Sequence, residues 1–136
     1  SSYPPILDLH TIDGDVVIDG AGGPIRLTPF EVEHGNIDAL GFRIGNLAYL
    51  PDVAEISEDV TGALEGLEYW VLDSLRRSPH PTHFNLDQAL AWIERMQPKR
   101  AVLTNMHIDL DYATLEAETA DHITPAYDGM VIRCPL

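Results

Sequence analysis

Cysteine is nearly absent. Cys134 is the only one in 136 residues, so no internal disulfide can form, which fits a reducing, cytoplasmic compartment. Basic residues are also scarce: eight Lys and Arg stand against 22 Asp and Glu, a formal net charge of −14. A surface this negative repels phosphate backbones and anionic lipid. Neither nucleic acid nor a membrane is therefore expected as a partner, whereas cations are favoured. Long apolar runs are missing too. Stretches such as Val16-Val17-Ile18 and Trp70-Val71-Leu72 fall far short of the ~20 residues of a membrane span. There is no repeat, no low-complexity tract and no long linker. The opening Ser1-Ser2-Tyr3-Pro4-Pro5 has neither an initiator Met nor a basic, apolar signal segment. The expectation is a piece cut from a longer chain.

What remains is ordinary globular material, 45% hydrophobic and 22% charged. A chain of this length buries roughly two thirds of its unfolded surface, enough for a core, and makes one domain or part of one. The first half reads as strands. Ile6–Ile12 alternates apolar and polar, Asp13-Gly14 is a turn signal, and Val16–Asp19 follows before the loop Gly20–Pro24. Ile25–Glu33 alternates again and ends in His34-Gly35. Leu40–Ile44 and Leu47–Leu50 flank the turn Gly45-Asn46.

After Pro51-Asp52 the pattern changes. Ser57 is placed to cap a short helix running to about Leu64, with Glu58 and Asp59 in its first turn. Leu67–Leu72 is a buried strand ending at Asp73. Asn85-Leu86-Asp87-Gln88 has the form of a capping box, and Leu86, Ala89, Leu90, Ile93 and Met96 mark one helical face that Pro98 stops. Ala101–Thr104 reads as a strand, Asp111–Thr119 as a helix and Met130–Cys134 as a last strand. A run of strands followed by alternating helix and strand predicts an α/β (α+β) domain, a mixed sheet with helices on one face. Both alternating faces of the early strands carry apolar residues, so something beyond these helices should cover the other side.

Chemistry is best sought where strands end, because loops there aim side chains into a shared crevice. Four exits carry groups able to bind metal: His34, Asp52, Asp73, and the run Asn105-Met106-His107. Imidazole and carboxylate together suit divalent ions such as Zn²⁺ or Mn²⁺, and a carboxylate can bridge two ions. Each also has a structural explanation. His34 precedes a glycine and could close a turn, Asp52 follows proline in a turn, Asp73 could order a loop, and His107 could pair in solvent with Asp109 or Asp111. His80-Pro81-Thr82-His83 is the one close histidine pair. Prolines 79 and 81 stiffen it, so it could bind metal, contact phosphate or place a general acid, or it could be a solvent loop. His10, within a strand, and His122 are read as structural. Gly20–Gly23 lacks the Lys and Ser/Thr of a phosphate loop. No Gly-x-Ser-x-Gly elbow supports a serine triad, and Cys134 is expected to be packed.

The set His34, Pro51-Asp52 and Leu103-Thr104-Asn105-Met106-His107 resembles the second half of the metallo-β-lactamase fold. It is most similar to the phosphodiesterases that open phosphoribosyl cyclic phosphate, and to their relatives. Supporting stretches are Val32–Gly35, Leu40–Arg43, Tyr49–Asp52, His80–His83, Leu110–Tyr112 and Ala126–Met130, so the likeness covers nearly the whole chain. It implies that residues 1–136 form the C-terminal half of one αββα sandwich domain, and that the upstream half carries the His-x-His-x-Asp-His motif this chain lacks.

Site roles follow from the same resemblance. His34, Asp52 and His107 would be metal ligands, with Asp52 bridging two divalent ions (Zn²⁺ or Mn²⁺) that hold a hydroxide. His83 would act at the phosphate or leaving oxygen, with Asp73 and His80 in support. The family shows Leu-Thr-His where this chain has Leu-Thr-Asn105, so His107 is expected to substitute from a shifted loop. The implied activity is hydrolysis of a small cyclic phosphate or related phosphodiester, with this piece inactive alone. The implied partners are the missing upstream half and the small-molecule phosphodiester, with a second copy of the chain as a further candidate. A noncatalytic acidic binding module is the competing expectation.

Overall fold

A computed structural model describes residues 3–135, so Ser1 and Ser2 of the opening lie outside it. Seven strands form one sheet in sequence order. β1 (Val16–Ile18), β2 (Ile25–His34), β3 (Ile37–Ile44) and β4 (Leu47–Leu50) run as an antiparallel meander. β5 (Tyr69–Asp73), β6 (Arg100–Thr104) and β7 (Ile123–Pro125) then continue parallel to β4. Each parallel step needs a crossover: a 3-10 helix (Glu58–Leu64), α1 (Leu86–Met96) and α2 (Tyr112–Glu118). Right-handed crossovers stepping in one direction leave all three helices on one face of the sheet, as the strand-then-helix order predicts.

The register shows which face is packed. Ala48 pairs with Trp70 and Trp70 with Ala101; Leu50 pairs with Leu72 and Leu72 with Leu103. These six side chains are fully buried, and they share one core with Leu86, Ala89 and Ile93 of α1 and Leu115 of α2. The alternate residues point the other way. Phe42, Tyr49, Val71 and Val102 form a row across four strands. In that row Tyr49 remains 44% exposed and Phe42 and Val71 are only half-buried. Pro29 sits inside β2, yet β1 covers only Ile25–Leu27. Between Thr28 and Val32 β2 has no strand partner on that side among the described residues, before Glu33 bridges to Glu55, and such an edge tolerates the missing N–H.

Local signals succeed where a partner element is present. Asn85 caps α1: its side chain accepts from the Gln88 N–H at 2.9 Å, while the Gln88 side chain accepts from the Asn85 N–H at 2.9 Å. The expected strand at Ile6–Ile12 is not formed. Ile6 is 94% exposed and Leu9 94% exposed, and alternation without a neighbouring strand offers no ladder to join. His10 therefore lies in an exposed irregular stretch. Ser57 precedes a 3-10 helix rather than an α-helix, and its hydroxyl donates to the Asp59 carboxylate instead of capping the backbone. Met130–Cys134 forms no strand either. The shorter Ile123–Pro125, with both end residues buried, takes the place beside β6.

Candidate metal centre

His34 ends β2, Asp52 follows the end of β4, and His83 lies on the loop after β5. The fold brings one donor atom of each to within 4.8 Å of the others. The turn after β2 makes this convergence possible. Gly35 has φ +76°, and a Cβ there would overlap the Thr82 methyl and lie 3.2 Å from Thr82 Cβ. Only glycine lets the proline-stiffened loop 79–83 settle against the end of β2. Once seated, the Thr82 carbonyl accepts from His34 Nδ1 at 2.5 Å. A carbonyl can only accept, so His34 carries its proton on Nδ1 and presents Nε2 as a lone pair.

His83 is held in the same sense. Its Nδ1 donates to Asp73 Oδ2 at 2.8 Å. Asp73, the last residue of β5, has no exposed surface. Its carboxylate also accepts from the Val53 N–H at 3.1 Å and from Asn105 Nδ2 at 3.2 Å. Burial pushes the Asp73 carboxyl above its ordinary pKa, and the His83, Val53 and Asn105 donors oppose that rise. The His83 ring packs edge-on to His34, with centroids 4.6 Å apart, and its Nδ1 is 3.9 Å from Asp52 Oδ1.

His80 stands beside the group, 5.2 Å from His83 by ring centroid. Its Nδ1 accepts from the Thr82 N–H at 3.2 Å, leaving the proton on Nε2. Desolvation, then Arg76 and His83, lower its pKa from the ordinary imidazole value.

Of the three expected ligands, His34 and Asp52 meet, and the imidazole that joins them is His83. His107 lies apart. Its N–H donates to the Leu75 carbonyl at 2.7 Å, and its exposed ring turns toward Asp109, Nδ1 to Oδ1 3.9 Å. The reason is backbone geometry. Asn105 adopts φ +61°, turning the chain at the end of β6 so that Asn105, and not His107, faces the site. Asp73 and His80, expected as supporting groups, adjoin His83. Sequence reasoning missed Thr82, whose carbonyl orients His34, and the Val53 N–H, because backbone groups leave no residue-type signal.

The donors suit a divalent ion: two imidazoles with Nδ1 already engaged and a half-exposed carboxylate, spaced so that modest contraction would reach the ~2.0–2.2 Å bonds of zinc. A one-sided α/β half-sandwich with imidazole and carboxylate at its strand exits is the architecture of metallo-β-lactamase-fold proteins. Residues 1–108 match the beta-lactamase superfamily domain, and the chain belongs to that family.

A diphosphatase of the PhnP family is similar at 29% identity and TM-score 0.85, over 93% of this chain and 48% of that one. The metallo-β-lactamase-fold protein YhfI from Bacillus subtilis shares the fold at 13% identity and TM-score 0.71, over 95% of this chain and 57% of that one. An octanoyltransferase of Porphyromonas gingivalis is 29% identical over 133 residues, which is 94% of this chain and 26% of that protein. The chain thus spans about a quarter of the curated relative and about half of these solved chains. Among the described residues, no helix is long and apolar enough to cross a membrane.

Proposed function

We propose that this chain supplies part of the active site of a metal-dependent hydrolase acting on a small phosphodiester or diphosphate. The observation that carries this is the convergence of His34, Asp52 and His83 from three separate strand exits to within 4.8 Å. His34 and Asp52 would hold divalent ions, Asp52 having a second oxygen free to bridge. Such ions polarise phosphoryl oxygens and lower the pKa of bound water. His83, its Nδ1–H held by Asp73, would take a proton on Nε2 from the attacking water and then give it to the leaving oxygen. His80, with its proton on Nε2, would donate to an anionic oxygen. Similarity to a PhnP-family diphosphatase supports phosphoryl chemistry. The octanoyltransferase name is not carried over, since the match spans only 26% of that protein.

Three side chains cannot enclose two ions, so the centre requires ligands from elsewhere. The partly exposed row Phe42, Tyr49 and Val71 lies on the face against which a second sheet would pack, and the partner we propose is the upstream half of the same domain. Leaving that face wet costs roughly 25 cal/mol per Å² of apolar surface. The test is hydrolysis of bis(p-nitrophenyl) phosphate with Zn²⁺ or Mn²⁺, by this chain alone and together with an upstream half. Activity is expected only in combination and is lost on His83→Ala. Full turnover by this chain alone would refute the incompleteness. Divalent-ion uptake unchanged by Asp52→Asn would refute the metal assignment and favour an acidic binding module.

A further inference from the structure

Asn105 has no counterpart role in the chemistry just proposed, yet its side chain reaches the Pro51 carbonyl beside Asp52, the Asp73 carboxylate and the His83 ring. It follows β6 in a left-handed conformation, φ +61°, which asparagine tolerates better than most residues with a Cβ. Its amide nitrogen donates to the Pro51 carbonyl at 3.3 Å and to Asp73 Oδ1 at 3.2 Å. It also lies 3.4 Å from His83 Nδ1. A carboxamide has two N–H hydrogens. Pro51 and Asp73 take both, so none remains for His83. Asn105 therefore does not compete for His83 Nδ1, whose partner is Asp73 Oδ2 at 2.8 Å, the nitrogen donating to the carboxylate.

The carboxylate has two ends. Val53 and His83 share Oδ2, and among the described residues only Asn105 hydrogen-bonds Oδ1. Without that hold, the carboxylate is anchored at Oδ2 alone and can pivot about its Cβ–Cγ bond, loosening its grip on His83. The same amide ties the Asp73 carboxylate to the Pro51 backbone immediately before Asp52.

We propose that Asn105 is a positioning residue: by clamping Asp73 to Pro51 it fixes His83 with Nδ1 protonated and Nε2 free toward the ion and substrate. The inference rests on the metal-site assignment above, but its primary readout needs no metal. The ring ¹⁵N shifts of His83 report its tautomer directly in the intact chain. Asn105→Gly keeps the left-handed backbone and removes only the amide. Asn105→Asp keeps the shape and replaces the donor with an acceptor facing Asp73. Both are expected to melt cooperatively and to shift His83 from one dominant tautomer to a mixture, the Asp variant more strongly. Co²⁺ affinity is expected to weaken by about tenfold, in the range found when groups behind metal ligands are removed.

An unchanged His83 ¹⁵N pattern in both variants would overturn the proposal, whatever the metal result. A shifted tautomer in a chain that binds no Co²⁺ as wild type even together with the upstream half would instead uphold the positioning role and defeat the metal assignment. If Asn105→Gly fails to fold, the Asp variant carries the same comparison.

Discussion

Replacing Gly35 with alanine tests how the fold assembles its site. The backbone there has φ +76°, and a side chain in that conformation costs roughly 1–2 kcal/mol. The added Cβ would also overlap the Thr82 methyl and sit 3.2 Å from Thr82 Cβ, where carbons prefer about 3.5–4.0 Å. Thr82 must withdraw by about 1 Å, and prolines 79 and 81 resist local adjustment. The 2.5 Å bond from His34 Nδ1 to the Thr82 carbonyl then exceeds hydrogen-bonding distance, losing about 1 kcal/mol. The total is about 3 kcal/mol, or ~10 °C in melting temperature at the ~0.3 kcal/mol/K expected for a chain of this length.

His34, no longer oriented, should bind Co²⁺ about tenfold more weakly. Calorimetry and a Co²⁺ absorption titration measure the two effects. Thr82→Ser removes the opposing methyl, so adding it to Gly35→Ala should restore part of both losses. A Gly35→Ala protein that melts and binds Co²⁺ like wild type would show that the loop is not seated against β2 as described.

Asn85→Ala removes the side-chain acceptor that caps the Gln88 N–H of α1, while the Asn85 N–H can still donate to the Gln88 side chain, and should destabilise by about 1 kcal/mol in urea unfolding, with no change in slope. Ile93→Ala opens the fully buried contact between α1 and the sheet and should cost about 2–5 kcal/mol in the same measurement. Asp52→Asn should abolish tight divalent-ion binding by titration calorimetry while leaving the fold intact, since Asp52 is half-exposed. The N–H and hydroxyl of Thr114 hold the Asp111 carboxyl below its ordinary pKa. Its contribution to α2 is therefore present above the unfolded-state pKa and disappears as pH falls through the lower folded-state value. Thermal melts of wild type and Asp111→Ala should converge at acid pH, and a constant gap would refute the capping role.

Elements with a strong local cause were legible in the chain. Asn85 and Gln88 announce α1, and Pro98 ends it. The strands of the sheet from Ile25 to Thr104 follow from alternation or from short β-branched and aromatic runs. Errors fell where a segment's state depends on a partner. Ile6–Ile12 alternates as well as any strand but has no neighbour to pair with. The last strand lies at Ile123–Pro125 rather than Met130–Cys134, because β6 offers one edge and the nearer segment fills it.

The site divides the same way. His34, Asp52 and Asp73 could be nominated because they stand at strand exits, and His83 because it belongs to the one close histidine pair, while their roles came from the family resemblance. Their mutual distances could not, because they come from positions up to 49 residues apart in sequence. The sequence by itself determined the residue chemistry, the acidity and the order of strands and helices, all of which are set by side-chain type and short-range periodicity. The tertiary structure alone decided that His83 joins His34 and Asp52 while His107 turns away. Those outcomes depend on a left-handed residue at 105, a missing Cβ at 35 and the carbonyls of Pro51 and Thr82. These are backbone geometries that exist only once the sheet has closed.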